Sequence, residues 1–127
     1  MTSNSQHKVA IITGASQGIG ADLMRGFLER GYRIVATSRG IKDQGNKDIV
    51  TVAGDVADRQ TAEAVVSAAM ARFGRIDTLI NNAGIFIPKP FTAYTDEDFD
   101  AFIGTNVKGA FYMTRLAAAP LLPSTGN

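Results

Sequence analysis

Three glycines sit where a phosphate could be held. Gly14, Gly18 and Gly20 lie in Thr13-Gly-Ala-Ser-Gln-Gly-Ile-Gly20, directly after the apolar run Lys8-Val-Ala-Ile-Ile-Thr13. A first glycine permits a tight turn, and later ones let backbone and helix approach a ligand closely. The helix that follows presents free N–H groups and a positive dipole end, which suits a pyrophosphate. No lysine follows Gly20, so this is not the loop of a nucleoside-triphosphate binder. A strand–helix turn that uses glycine for geometry alone would show the same spacing.

Two further positions carry chemical information. A site that grips the adenosine 2′-hydroxyl of NAD places an acid at the end of its second strand. Here that place reads Thr37-Ser38-Arg39, with no acid and a guanidinium instead. Ser38 and Arg39 suit a 2′-phosphate, which favours NADP over NAD; the alternative is that Arg39 is a solvated surface cation. Asn106 continues the spacing Phe99, Phe102, Ile103, which predicts that it lies on the buried face of a helix. A buried amide has to be hydrogen-bonded, in a structural or a functional role.

The elements that position these residues are legible from periodicity. Lys8–Thr13 reads as a strand buried on both faces, and Leu23, Met24, Phe27 and Leu28 follow at helical spacing up to Gly31. Arg33–Thr37 is a second strand, which closes a right-handed βαβ unit. Gly40–Asp48 is too short for a crossover helix and predicts a loop or single turn before a third strand, Ile49–Ala53. Asp58 is placed to cap a helix carrying Ala62, Val65, Val66, Ala69 and Phe73 and ending at Gly74. Ile76–Ile80 is a fourth strand, and Pro88 and Pro90 mark a loop. Thr95 and Asp98 resemble a capping box, with Phe99, Phe102 and Ile103 expected on the inner face of the next helix. Strands alternating with helices indicate an α/β fold with a parallel sheet.

Composition narrows the function classes. The 127 residues amount to one domain, 45% hydrophobic and 20% charged. Thirteen Lys plus Arg against twelve Asp plus Glu argue against a dedicated nucleic-acid partner. There is no cysteine, and the single histidine, His7, cannot build a metal site. Residues 1–7 are polar and lack the apolar core of a secretory signal, and no apolar run is long enough to span a bilayer. The expectation is a soluble, cytoplasmic protein without a membrane partner.

The motifs together resemble the short-chain dehydrogenase/reductase family. Thr13–Gly20 is similar to its cofactor loop, and Asn81-Asn-Ala-Gly84 to its motif after the fourth strand. Gly54-Asp55-Val56 and Asn106-Val-Lys-Gly109 match in the same order, and the resemblance covers about Lys8 to Leu116. It implies a Rossmann-type, doubly wound parallel sheet with strand order 3-2-1-4, incomplete relative to the family. It also implies a nicotinamide cofactor, hydride exchange with a small carbonyl or alcohol substrate, and a homo-oligomer. By position, Gly14, Ser16, Gln17, Gly18, Ile19 and Gly20 would hold the pyrophosphate and adenosine ribose. Asp55 and Val56 would contact the adenine, and Asn82, Ala83 and Gly84 would lie beside the adenine ribose. Asn106 would distort its helix and help hold a water in the proton relay, a catalytic role. Asp55 could instead only cap a turn, and Asn81 and Asn82 could be turn-formers with local bonds.

The family's chemistry also requires a Ser and a Tyr-x-x-x-Lys pair. Four residues before Lys8, Lys42, Lys47, Lys89 and Lys108 stand Asn4, Ser38, Asp43, Ile85 and Gly104, so the pair is not in this sequence. Pro120 and Pro123 are expected to break a helix that the family continues. The expectation is a short or shortened family member: either the cofactor-binding part of an oxidoreductase, or an inactive dinucleotide-binding or interaction fragment.

Overall fold

The computed structural model describes residues 7–16, 18–85 and 88–121. Four parallel strands form one sheet in the order β3-β2-β1-β4. They are β1 (Val9–Thr13), β2 (Arg33–Ser38), β3 (Ile49–Ala53) and β4 (Thr78–Ile80). Val9 to Thr13 pair with Arg33 to Thr37, and Ala10 to Ile12 pair with Thr78 to Ile80. This is the α/β Rossmann-type arrangement that the sequence implies.

Side chains alternate across a strand, so β1 feeds two cores. Val9 and Ile11 pack in one cluster with Val65 and Ala69 of α2 (Arg59–Arg72), with Phe73 that caps its end, and with Met113 of α4 (Gly109–Leu121). Ala10 and Ile12 pack in the other, against Leu23, Met24, Phe27 and Leu28 of α1 (Gly18–Glu29).

Local signals fix the helix ends. Gly31 has φ +87°, its N–H reaches the Leu28 carbonyl at 3.0 Å, and the Tyr32 N–H reaches Phe27 at 3.0 Å. That bonding pair is a Schellman ending, and the Phe27 and Tyr32 rings meet edge-on at 4.8 Å beneath it. Gly74 (φ +77°) ends α2 in the same left-handed region. The capping box of α3 (Asp96–Phe102) is complete: Thr95 Oγ1 accepts the Asp98 N–H at 3.1 Å, and the Thr95 N–H donates to Asp98 at 3.0 Å. The Lys89 ammonium, followed by the Thr95 N–H, holds the Asp98 carboxyl below the usual carboxylate range.

Several expectations are corrected. Asp58 occupies the N-cap of α2, but its side chain makes no capping bond. The fourth strand begins at Thr78 because the Asp77 carboxylate takes the Val9 N–H at 2.8 Å, where a ladder bond would otherwise form. Phe99 and Phe102 do not lie on an inner face: they are 60% and 39% exposed. The helix does not break at Pro120 but runs through it to Leu121. Pro120 stands in the final turn, where its missing N–H removes only one helical bond. Pro123 lies outside the described residues, as does most of the polar stretch 1–7.

Candidate active site

The strands all point their C-terminal ends at one cleft of about 520 Å³. Gly14 and Ser16 follow β1, Ser38 and Arg39 end β2, Asp55 and Val56 follow β3, and Asn82, Ala83 and Gly84 follow β4. Nine of the residues singled out from the sequence therefore line one cavity. Gln17 lies outside the described residues. Gly18, Ile19, Gly20 and Asn106 do not line it. Ile19 is 71% exposed and faces a separate groove beside Leu23 and Phe27.

Gly14 turns with φ +65° and Gly18 with φ +62°, a region open to glycine and strained for other residues. Gly20 serves packing: a Cβ there would stand 2.1 Å from the Gly14 carbonyl oxygen and 2.8 Å from Asn82 Nδ2. Asn82 in turn donates from Nδ2 to that carbonyl at 3.2 Å. The loop after β4 is thus bound to the glycine turn. Asn81 turns the other way and donates to Thr114 Oγ1 at 3.1 Å.

Thr13 is the main residue that sequence reasoning missed. Its buried hydroxyl accepts the N–H groups of Asn82 at 2.9 Å and Ala83 at 2.8 Å, and donates to the Ile80 carbonyl at 3.4 Å. The signal was a hydroxyl as the last strand residue before the first glycine. Thr105, Ile85, Gly40 and Gly54 also line the cleft.

The β3 exit forms its own turn. Asp55 accepts the Ala57 N–H at 2.9 Å on its side chain and the Asp58 N–H at 2.9 Å on its carbonyl. The turn-capping alternative for Asp55 is therefore realised, and it still lines the cleft. The Gly54 N–H donates to the Ser38 carbonyl at 3.1 Å, joining this turn to the end of β2. There the Ser38 hydroxyl is buried and, among the described residues, has no hydrogen-bond partner. Arg39 is exposed and, among the described residues, makes no ion pair. A buried donor and a free guanidinium at one strand end form a set that an anionic ligand group would complete.

Asn106 sits in a π-helical stretch, Ile103–Lys108, between α3 and α4. It is half-buried rather than buried, and both of its side-chain functions are satisfied. The Ile85 N–H donates to its Oδ1 at 2.8 Å, and its Nδ2 donates to the Ile85 carbonyl at 3.2 Å.

Residues 8–127 match the sequence family described as short chain dehydrogenase. This chain belongs to that family. The NADP-dependent 3-hydroxy acid dehydrogenase of Salmonella typhi is 34% identical over 114 residues, 84% of this chain and 46% of that protein. The acetoacetyl-CoA reductase of an Acinetobacter species is 34% identical over 125 residues, 87% of this chain and 49% of that protein. A solved 3-ketoacyl-(acyl-carrier-protein) reductase of Brucella melitensis, complexed with NADH, has a TM-score of 0.83 at 33% identity. That likeness covers 89% of this chain and 50% of the other. This short-chain dehydrogenase chain spans about half the length of the curated relatives it matches.

Among the described residues no helix is long and apolar enough to cross a membrane. No group of three or more His, Asp or Glu that could hold a metal ion occurs among them.

Proposed function

We propose that this stretch of a short-chain dehydrogenase binds a nicotinamide dinucleotide, with NADP preferred over NAD. The protein it serves would be an oxidoreductase acting between that cofactor and a small carbonyl or alcohol. The observation that carries the reading is the end of β2, where Ser38 and Arg39 line the cleft and no carboxylate stands at Thr37–Arg39. Among the described residues, the buried Ser38 hydroxyl has no partner and Arg39 has no ion pair. The relatives' names differ on the cofactor, one being NADP-dependent and one complexed with NADH, so the preference rests on Ser38 and Arg39.

Gly14, Ser16, Gln17, Gly18, Ile19 and Gly20 would cradle the pyrophosphate and adenosine ribose at the start of α1. Asp55 and Val56 would flank the adenine, and Asn82, Ala83 and Gly84 the adenine ribose. The bound dinucleotide would supply the hydride donor or acceptor. Asn106 would act through Ile85, holding the chain that leaves the Asn82–Gly84 segment. A Tyr-x-x-x-Lys pair is not among these residues, so the role proposed for this stretch is binding and orienting the cofactor. The same reading proposes that copies of the chain associate.

Calorimetric titration with NADPH and NADH tests the proposal. Binding of both, with NADPH tighter, is expected. Binding of neither, or a preference for NADH, would overturn it.

A further inference from the structure

The cleft wall at Val56 is positioned from behind by a residue that does not touch the cleft. Val56 is buried and lines the cavity, and it also belongs to the core cluster containing Met113 of α4. Gly109, the first residue of α4, is buried against its other side. A Cβ at Gly109 would stand 2.6 Å from Val56 Cγ2, 3.0 Å from Val56 Cβ and 3.2 Å from the Val56 carbonyl oxygen. No side chain fits there unless Val56 moves. Inside the turn, Gly54 is as closely packed: a Cβ there would meet Thr61 Oγ1 at 2.6 Å, whereas one at Gly104 would make only ordinary contact with Ala57 Cβ at 3.4 Å. The 54–58 turn is shaped by Asp55, and on the α4 side Gly109 is the residue whose bare backbone leaves it room.

We infer that Gly109 is a positioning residue for the adenine side of the cleft: its missing side chain lets Val56 sit back far enough to leave the cavity open. The π-helical stretch places it there, since the Gly109 N–H bonds the Gly104 carbonyl, five residues back. The one extra residue in that turn sets the phase at which α4 begins, and so brings Gly109 opposite Val56. This inference rests on the dinucleotide reading above and assigns one residue's part in it. Any side chain at position 109 moves Val56 toward the cleft, and the loss falls on whatever packs against Val56.

A double-mutant cycle tests it, read by calorimetry with adenosine 2′,5′-bisphosphate. Gly109→Ala is expected to weaken binding about tenfold where residue 56 is Val. It is expected to cost less than about threefold where Val56→Ala has removed the Cγ atoms. Equal losses in the two backgrounds overturn the inference, because a general loss of fold would not be relieved at residue 56. If Gly109→Ala cannot be purified, the unsubstituted chain decides by NMR. Adenosine 2′,5′-bisphosphate must then shift the amide resonances of Val56 and Gly109 together, and a shift at Val56 with none at Gly109 overturns the inference. A chain that binds no adenine nucleotide removes the functional reading instead. The packing claim is then judged by whether Gly109→Ala moves the ligand-free resonances of residues 54–57 and Val56→Ala restores them.

Discussion

Asn106 pairs with the backbone of Ile85 as a strand would, giving Nδ2–H to the carbonyl at 3.2 Å and taking the N–H on Oδ1 at 2.8 Å. One side chain thereby satisfies a loop residue that has no ladder partner. Asn106→Ala leaves both Ile85 groups to water or unpaired, at a cost of about 1–3 kcal/mol. Asn106→Asp keeps the acceptor but turns a carboxylate oxygen toward the Ile85 carbonyl, and it should cost at least as much. Urea denaturation of the two variants checks both expectations, and an unchanged midpoint for Asn106→Ala would refute them.

Arg39→Ala should weaken NADPH more than NADH, because only NADPH carries the 2′-phosphate that the guanidinium would face. A charge-assisted contact of this kind contributes about 1.5–3 kcal/mol, so a loss of roughly tenfold to a hundredfold is expected for NADPH alone. Equal losses for both cofactors in calorimetry would remove Arg39 from the discrimination.

Two glycines of α1 should respond with opposite signs. Gly20→Ala drives a methyl to 2.1 Å from the Gly14 carbonyl oxygen and should cost about 3 kcal/mol, with loss of the cleft. Gly26 lies mid-helix, and its Cβ would meet only Arg30 Nη1, at 3.6 Å. Gly26→Ala should therefore add about 0.5–1 kcal/mol of stability. Thermal melts of the two variants measure the contrast.

Acid should weaken the chain through Asp77. Burial works against its charge, but Arg75, at 2.6 and 2.8 Å, and the Val9 N–H hold its carboxyl below the ordinary value. A depressed folded pKa means stability that is present above the unfolded value of about 3.9 and is lost as pH falls through the folded one. Asp77→Asn should lower stability at neutral pH by about 1–3 kcal/mol and flatten the decline below about pH 4. Denaturation midpoints from pH 7 down to 3 follow this, and a variant that parallels the original would contradict it.

Self-association is expected. Phe99, Phe102, Val107 and Phe111 are 60%, 39%, 52% and 55% exposed on neighbouring turns. β4 is an edge strand with neither Lys nor Pro in Thr78–Ile80. Sedimentation at micromolar concentration should show dimers or larger species, reduced by Phe111→Ser with Phe99→Ser. A single monomer would overturn this.

Much of the fold could be read from sequence because its signals are local. The bounds of β3, the glycine ends of α1 and α2 and the Thr95–Asp98 box all follow from residues within a few positions of one another. What could not be read depends on distant partners. The π-helical stretch follows a 3.6 pattern in sequence, so periodicity does not show it; the family resemblance did imply a distorted helix at Asn106, and the extra residue accompanies the reach of Asn106 to Ile85. The exposure of Phe99 depends on which elements pack on α3, and the start of β4 on the Asp77 contact with Val9. The cleft residues were legible as motifs, whereas Thr13 was hidden because its hydroxyl works across 69 and 70 positions of chain.

β1 has no solvent face: its five residues are buried, Val9 and Ile11 against one apolar layer and Ala10 and Ile12 against another. It acts as a party wall, and neither layer can loosen without dragging the same backbone. A substitution at Ile11 or Ile12 is nominally local to one layer, yet it unsettles the strand on which the other is built. The glycine turn hangs from the end of that wall, so the cleft inherits the integrity of both halves at once.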